Sequence, residues 1–228
     1  MKKVYIVYFS PTKTTRTIVR KIAEGTEIEN IEEVDITLAK NRLRTSNEIK
    51  DESLVIFGMP VYGGRIPKLV AEYLKTFSGN NQPAVAVAVY GNRDYDDALI
   101  EIADIIKERG FTPIAAGAFI GEHSFADKTH NIANNRPDDE DQQKAIRFGK
   151  VILDKIDHKD LSEPNIPGKR PYKGYSKPLK LSPIKGKECT NCMVCKDVCP
   201  VNAIDEKGIA DKDKCISCCA CVKSCPVN

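Results

Sequence analysis

Cysteine is the residue whose spacing in this sequence most directly indicates chemistry. All nine cysteines lie between Cys189 and Cys225 of the 228 residues, and the first 188 residues contain none. The odd number and the absence of an export signal argue against a framework of disulfide bonds. Thiols crowded into one end of such a chain predict a metal site instead.

The cysteine-rich end contains an internal repeat with an offset of 26 residues, since CTNCMVCKDVCPVN at 189–202 recurs as CISCCACVKSCPVN at 215–228. Each copy has the spacing C-x2-C-x2-C-x3-C-P. Three thiolates spaced in this way can each bind one corner of a cuboidal [4Fe–4S] cluster, and the fourth reaches elsewhere. The alternative is a structural zinc site, which usually pairs two C-x2-C knuckles across a longer loop and fits this spacing poorly.

The doubled motif resembles that of the bacterial two-cluster ferredoxins, over about 45 residues. The resemblance implies two [4Fe–4S] clusters whose fourth ligands are exchanged between the repeats. The implied ligands of one cluster are Cys189, Cys192, Cys195 and Cys225. Those of the other are Cys215, Cys218, Cys221 and Cys199. Cys219 has no place in the pattern, and we interpret it as a small apolar filler beside a cluster.

Three further segments carry hydroxyl, glycine and aromatic residues directly after predicted strands. They are Ser10-Pro11-Thr12-Lys13-Thr14-Thr15, Pro60-Val61-Tyr62-Gly63-Gly64 and Tyr90-Gly91-Asn92-Arg93-Asp94-Tyr95. Hydroxyls and free N–H groups at the start of a helix bind phosphate, although Ser and Thr there also simply cap helices. Open α/β sheets bind ligands at the carboxyl ends of their strands, so we expect the three loops to form one site.

In this order the three loops resemble those of the flavodoxins, and the resemblance covers roughly residues 1–158. It implies an FMN cofactor whose phosphate is held by Ser10, Thr12, Thr14 and Thr15. Lys13 stands where that family usually has glycine, and its charge suits a phosphate. The sequence has no G-x-G-x-x-G dinucleotide loop in this region, which favours FMN over FAD and argues against a separate NAD domain.

The same resemblance assigns the residues around the flavin ring. It implies that Tyr62 and Tyr95 stack on the ring, and ordinary packing is the alternative for both. The Gly63-Gly64 peptide matches the one that accepts a hydrogen bond from N5 of the reduced flavin. Asn92 corresponds to a contact at the pyrimidine end of the ring.

Residues 1–158 alternate short apolar runs with stretches of helical periodicity, which predicts an α/β fold with a doubly wound, five-stranded parallel sheet. The strands are predicted at Val4–Phe9, Val34–Thr37, Leu54–Gly58, Ala84–Tyr90 and Ile114–Ile120. A last helix is expected from about Asp138 to about Ile156. After the fifth strand, His123 is either a surface residue or a contact near the flavin edge.

The chain is thus expected to have two domains and a linker. Residues 1–158 form the predicted FMN-binding domain, and residues 184–228 the predicted small α+β ferredoxin domain. The segment 159–183 between them is rich in proline and carries six Lys or Arg against two Asp or Glu, a net charge of +4. It predicts an extended connector that could fold back on an acidic face.

Composition narrows the class of protein. Apolar residues make up 41% and charged residues 29%, which predicts a soluble globular chain, and a net charge of +3 is too small to argue for nucleic acid. No apolar run approaches the roughly 18 residues of a membrane span. Because Val4–Phe9 is also too short for the core of a signal peptide, we expect a cytoplasmic protein without a membrane span.

The whole chain resembles the fused flavodoxin–ferredoxin proteins of anaerobes. A flavin exchanges one or two electrons and each cluster exchanges one. We expect an electron carrier that docks transiently with redox enzymes, one its electron donor and another its acceptor. The alternative is a flavin reductase that takes hydride from NAD(P)H or reduces quinone, with the clusters as an internal relay, and the sequence leaves both open.

Overall fold

The computed structural model describes residues 1–44, 46–176 and 180–227. The strands are β1 Val4–Tyr8, β2 Ile31–Asp35, β3 Leu54–Pro60, β4 Pro83–Tyr90 and β5 Thr112–Ile120. The helices are α1 Thr14–Gly25, α2 Lys68–Leu74, α3 Ala98–Glu108, α4 Asp139–Asp157, α5 Val194–Asp197 and α6 Ala220–Lys223, with a 3-10 turn at Ala39–Arg42. In these three ranges, no helix combines the length and apolar character that crossing a bilayer requires.

The five strands form one sheet in the order β2-β1-β3-β4-β5, and every neighbouring pair is parallel. This is the order of the flavodoxin-like doubly wound sheet, so the predicted fold class is confirmed. The order reverses between β1 and β3. Ligands of such sheets bind outside the carboxyl ends of the strands at this point.

Two apolar clusters cover the two faces of the sheet, which explains why the central strands are apolar without alternation. On one face, Phe57 of β3 packs edge-on against Phe77 and Phe111 at ring distances of 5.9 and 5.1 Å. Its neighbour Ile56 belongs to the cluster on the other face, which includes Ile18 of α1. All seven residues of β3 are buried. The sheet is therefore a rigid support for the loops at its carboxyl edge.

The predicted boundaries of β2 were wrong. The prediction was Val34–Thr37, whereas the strand runs Ile31–Asp35 and only Val34 in it is buried. As an edge strand, β2 needs few apolar side chains. Its acidic residues interrupt the apolar run by which a strand is predicted from sequence.

Helix α4 closes the sheet on the side of α1. Its N-terminus is acidic, and Asp138 and Asp141 form a reciprocal capping box there. The two helices approach closely at a pair of glycines. A Cβ atom on Gly149 would lie 2.1 Å from the carbonyl oxygen of Ile22. This contact fixes α1, whose N-terminus borders the predicted phosphate loop.

The two cysteine repeats adopt the same backbone conformation. Asn191 and Met193 of the first repeat have φ of 58° and 63°, and Ser217 and Cys219 of the second have 54° and 57°. A four-residue helix follows in each repeat. Cys219 thus corresponds to Met193 and, like it, is the residue directly before a short helix. Among the described residues of this block, the only β pairing is a single antiparallel bridge between residues 204 and 210.

The linker lies against α3 for much of its length. The backbone N–H groups of Lys169 and Lys173 donate to the two carboxylate oxygens of Asp97 at 2.8 and 2.7 Å. The hydroxyl of Tyr172 donates to Asp104 at 2.5 Å. The fold-back on an acidic face that the charge pattern predicted is therefore present, and α3 provides that face.

A buried ion pair joins the linker to the second predicted flavin loop. Arg65, directly after Gly64, donates two hydrogen bonds of 2.7 Å to Glu101 of α3. Its guanidinium lies 4.6 and 4.3 Å from the ring centres of Tyr172 and Tyr175, and donates to a linker carbonyl as well. The linker thus braces the loop that contains Tyr62.

We expect Gly149→Ala to lower the free energy of unfolding by roughly 1–3 kcal/mol, because the added methyl group forces α1 and α4 apart. The measurement is urea denaturation followed by far-UV circular dichroism. Gly174→Ala is the matched control, since a Cβ atom there meets nothing within 4 Å. Equal stability of the two variants would show that the helices separate without cost.

Candidate functional site

A cavity lies at the carboxyl edge of the sheet, and we call it the strand-end cavity. It is formed by the loops that follow β1, β3, β4 and β5. Eight residues predicted from the sequence line it: Thr12, Thr14, Thr15, Pro60, Val61, Tyr62, Tyr90 and Gly91. Six others belong to the same loops but are not part of the lining: Ser10, Lys13, Gly63, Gly64, Asn92 and Tyr95. The parallel sheet therefore brings the three predicted loops together.

The loop after β1 forms one end of this cavity. The Ser10 hydroxyl accepts a hydrogen bond from the backbone N–H of Arg16 at 3.0 Å, so Ser10 caps α1. Lys13 has φ of 69°, the left-handed conformation that favours the glycine of the family. Among the described residues, the buried hydroxyl of Thr15 has no hydrogen-bond partner. A phosphate bound at this helix N-terminus would satisfy that hydroxyl, so the residues present fit the implied group.

Aromatic residues form the other end of the strand-end cavity. Tyr62 and Tyr90 line it, and Tyr95 packs edge-on against Tyr90 with ring centres 5.4 Å apart. Burial raises the pKa of Tyr62, and the nearby sulfur groups of Cys218 and Cys219 raise it further. Tyr62 therefore lies between the strand-end cavity and the cysteines of the second repeat.

The loop after β5 contributes a fourth wall that the three predicted loops did not include. Glu122, His123 and Ser124 line the cavity beside the loop of Gly91. The ring of His123 accepts a hydrogen bond from the backbone N–H of Phe125 at 3.1 Å, which assigns the proton of the neutral ring to Nε2. The signal that could have identified this wall is its location at the carboxyl end of a strand, as for the other three.

The cysteines of the C-terminal block line two separate cavities. The first sulfur cavity is lined by Cys189, Cys192, Cys195 and Cys225. The second sulfur cavity is lined by Cys199, Cys215, Cys218 and Cys221, with Cys219 beside them. The last cysteine of each repeat thus lies in the cavity of the other repeat. Among the described residues that line them, none is Asp or Glu, and the anionic donors are the cysteine sulfurs.

The number of thiols in each cavity matches the needs of an iron–sulfur cluster. Four cysteines line the first sulfur cavity, and five, with Cys219 among them, line the second. A four-iron cluster takes one thiolate on each corner iron, so the donor set fits an iron–sulfur cluster.

The surroundings of the second sulfur cavity favour sulfur ligation. Burial raises the pKa of Cys218 to about 12 and that of Cys221 to about 11, so these thiols lose their protons only to a metal. The backbone N–H groups of Ala203 and Ser217 donate to the sulfur atoms of Cys199 and Cys215 at 3.2 and 3.4 Å. Hydrogen bonds of this kind orient metal-bound sulfur and tune the potential of a cluster.

A comparison with protein families agrees with the cysteine chemistry. Residues 184–205, which contain the first repeat, match the family model of the 4Fe-4S binding domain, Fer4. No curated protein matches the chain. With the flavodoxin-like strand order of the N-terminal block, this match decides the organisation of the molecule. The chain joins a sheet of flavodoxin-like strand order to a 4Fe-4S binding domain. Such a pairing of domains supports a role in electron transfer.

Solved structures with a similar fold include a flavodoxin from the domain Archaea, the Fusobacterium nucleatum flavodoxin bound to flavin mononucleotide, and the NAD(P)H:quinone oxidoreductase from Methanothermobacter marburgensis. In that order, sequence identity is 20, 15 and 13% and the TM-score is 0.44, 0.42 and 0.40. The alignments cover 68, 70 and 66% of this chain and 99, 99 and 98% of the other chains. At this level of identity the likeness concerns the fold alone.

His123 is expected to make the stability of the protein depend on pH. Burial lowers the pKa of His123, and the charge of Lys223 lowers it further. The neutral ring therefore stabilises the fold fully above its ordinary pKa of about 6.5, and this contribution is lost as the pH falls through the lowered value. His123→Asn keeps an acceptor for the Phe125 N–H, so we expect a smaller loss of stability on acidification.

Urea midpoints measured between about pH 5 and pH 7.5 check this expectation. His158→Asn is the control, because a hydrogen bond to the backbone of Asp154 raises the pKa of His158, which gives the opposite sign. An acid-induced loss in His123→Asn as large as that in the wild type would contradict the assignment.

Proposed function

We propose that this chain is an electron carrier that binds FMN in the strand-end cavity and one [4Fe–4S] cluster in each sulfur cavity. It carries low-potential electrons between a donor enzyme and an acceptor enzyme. The observation that carries the proposal is the contiguity of the cavities, because His123 lines the strand-end cavity and its ring lies 5.4 Å from that of Phe125, which lines the second sulfur cavity. Cofactors held this close exchange electrons within one chain.

The flavin-binding residues have separate tasks in this proposal. Thr12, Thr14 and Thr15 hold the phosphate at the N-terminus of α1, where the helix dipole favours negative charge. Tyr62 packs on the ring, and Tyr90 and Tyr95 form the aromatic wall on the side of β4. Asn92, with φ of 59°, presents the backbone of its loop to the pyrimidine end of the ring.

The Gly63-Gly64 peptide has a further task in this proposal. Both residues have positive φ, 62° and 87°, a backbone conformation that glycine adopts without the steric cost of a Cβ atom. The carbonyl of Gly64 accepts a hydrogen bond from the backbone N–H of Asp97 at 3.0 Å, which anchors one end of the loop. The carbonyl of Gly63 is then the group placed to accept a hydrogen bond from flavin N5.

The cluster ligands follow the composition of the two sulfur cavities. We assign Cys189, Cys192, Cys195 and Cys225 to the first cluster. We assign Cys215, Cys218, Cys221 and Cys199 to the second. When bound, FMN exchanges one or two electrons and each cluster one, so a fully reduced flavin can supply one electron to each cluster. The thiols bind iron, and the apolar walls of the cavities limit the access of water.

Cofactor counts and a turnover assay test this function together. Anaerobically purified protein is expected to contain one FMN and about eight irons per chain, four for each cluster. It should accept electrons from a low-potential donor without sustained oxidation of NADH or NADPH. Steady-state NAD(P)H oxidation would establish the flavin reductase instead, and zinc in place of iron would overturn the cluster assignment.

We expect Thr15→Val to weaken FMN binding roughly tenfold, because it removes the buried hydroxyl that the phosphate would satisfy. The stability of the flavin-free protein should not fall, since that hydroxyl has no partner among the described residues. Titration of flavin-free protein with FMN measures the affinity. Thr17→Val is the control, because the Thr17 hydroxyl donates to the carbonyl of Lys13 outside the cavity. An unchanged affinity in Thr15→Val would contradict the phosphate site.

A further inference from the structure

We propose that Arg42 and Lys223 are positioning residues that hold the second sulfur cavity against the strand-end cavity, so that the two sulfur cavities have different roles. The second is the flavin-proximal cavity, and the first faces the external redox enzyme. This inference rests on the proposed function, since it orders the cofactors which that function assigns to the three cavities.

Lys223 is the contact that the C-terminal block makes with the loop after β5. Its ammonium group donates to Glu122 Oε1 and to the carbonyl of Ala126, each at 2.5 Å. Although burial raises the pKa of Glu122, the hydrogen bonds from Lys223 and from the backbone of Asn135 hold it below its ordinary value, so the carboxylate stays charged. Lys223 is the last residue of α6, two positions after Cys221 in the same helix. The ion pair therefore fixes the second cysteine repeat to a wall of the strand-end cavity.

Arg42 belongs to the N-terminal block and donates a hydrogen bond to the C-terminal block, whereas Lys223 donates from the C-terminal block to the N-terminal one. One guanidinium nitrogen donates to the carbonyls of Ile36 and Thr37 after β2, at 2.8 and 2.7 Å. The other donates to the carbonyl of Pro200 at 2.7 Å. Pro200 follows Cys199, the cysteine that the first repeat contributes to the second sulfur cavity. Both cationic contacts thus lie on the chain segments that carry the thiols of this cavity.

Apolar residues also contribute to the junction between the two blocks. Phe125, from the loop after β5, lines the second sulfur cavity itself. Ile216, between Cys215 and Cys218, packs against the apolar cluster on one face of the sheet. The ring of Phe125 also lies 5.4 Å from that of His123 in the strand-end cavity. The loop after β5 therefore contacts both the strand-end cavity and the thiols of the second repeat.

The first sulfur cavity has a different environment. The described residues that line it all belong to the C-terminal block, from Lys185 to Val227. Cys192 in it is exposed, whereas Cys218 at the same position of the second repeat is only 6% exposed. The end of the molecule that carries Cys192 is thus the end that an external redox enzyme can reach.

The order of the cavities is tested with Cys218→Ala and Cys192→Ala, which remove the middle cysteine of each triplet. The readout is the spin–lattice relaxation of one-electron-reduced flavin, measured by pulsed EPR while the remaining cluster is reduced. A nearby paramagnetic cluster speeds this relaxation. We expect Cys218→Ala to slow it several-fold and Cys192→Ala to leave it close to the wild-type rate. Equal slowing in both variants, or slowing in Cys192→Ala alone, would overturn the order.

The positioning role is tested with Lys223→Met in the holoprotein, which keeps all eight proposed ligands. We expect slower flavin relaxation and faster amide hydrogen exchange in the loop 121–126, with flavin and iron contents unchanged. Lys214→Met is the matched control, because Lys214 pairs with Asp211 inside its own block at 3.4 Å. Arg42→Met should act as Lys223→Met does, from the other side of the junction.

Wild-type relaxation and wild-type exchange in both Lys223→Met and Arg42→Met would overturn the positioning role. If each cysteine variant loses both clusters, the proposal is tested by these two variants alone. Failure of the proposed function is a separate outcome. It shows in the wild-type protein as missing flavin or missing iron, before any relaxation is measured.

Discussion

Parallel pairing of all five strands is the constraint on which the rest of the molecule depends. It sends every strand in the same direction, so the loops that follow them meet at one edge of the sheet. The residues that contact the C-terminal block come from these loops: Arg42 after β2, Tyr62 after β3, and Glu122 and Phe125 after β5. Because the same edge carries the strand-end cavity, a block that docks there is necessarily beside it.

The C-terminal block depends on sulfur for its structure as well as for its chemistry. In its described part, the buried apolar residues are two cysteines, two alanines, one isoleucine and one proline: Cys199, Cys218, Ala203, Ala220, Ile204 and Pro200. So small a set cannot offset the conformational entropy of more than forty residues. Bonds between thiolates and iron supply the missing cohesion, as metal binding does for other small domains. Loss of a cluster would therefore also loosen the docking at Lys223.

Strong local patterns made most of the architecture predictable from sequence. Strands covered on both faces, such as β3, are recognised in the sequence as continuous apolar runs. The cysteine repeat predicted the cysteines that line each sulfur cavity. The boundaries of the edge strand β2 were predicted wrongly because only Val34 in it is buried. The ion pair between Lys223 and Glu122 joins residues 101 positions apart, and nothing local marks either as a partner. Which aromatic residue lines the cavity, Tyr90 or Tyr95, also depends on packing that spacing does not encode.

The docked linker changes how strongly the two blocks are held together. Tyr175 is tied to α3 through Glu101, and the carbonyl of Leu181 accepts a hydrogen bond from Ser217 of the second repeat. Only six positions separate these two anchors, where the linker as a whole has 25 residues. A shorter tether raises the effective concentration of one block near the other, which reaches the millimolar range for short flexible linkers. A modest interface between the two blocks can then stay closed at any protein concentration. An external protein that binds the same edge of the sheet has to compete with the covalently attached C-terminal block.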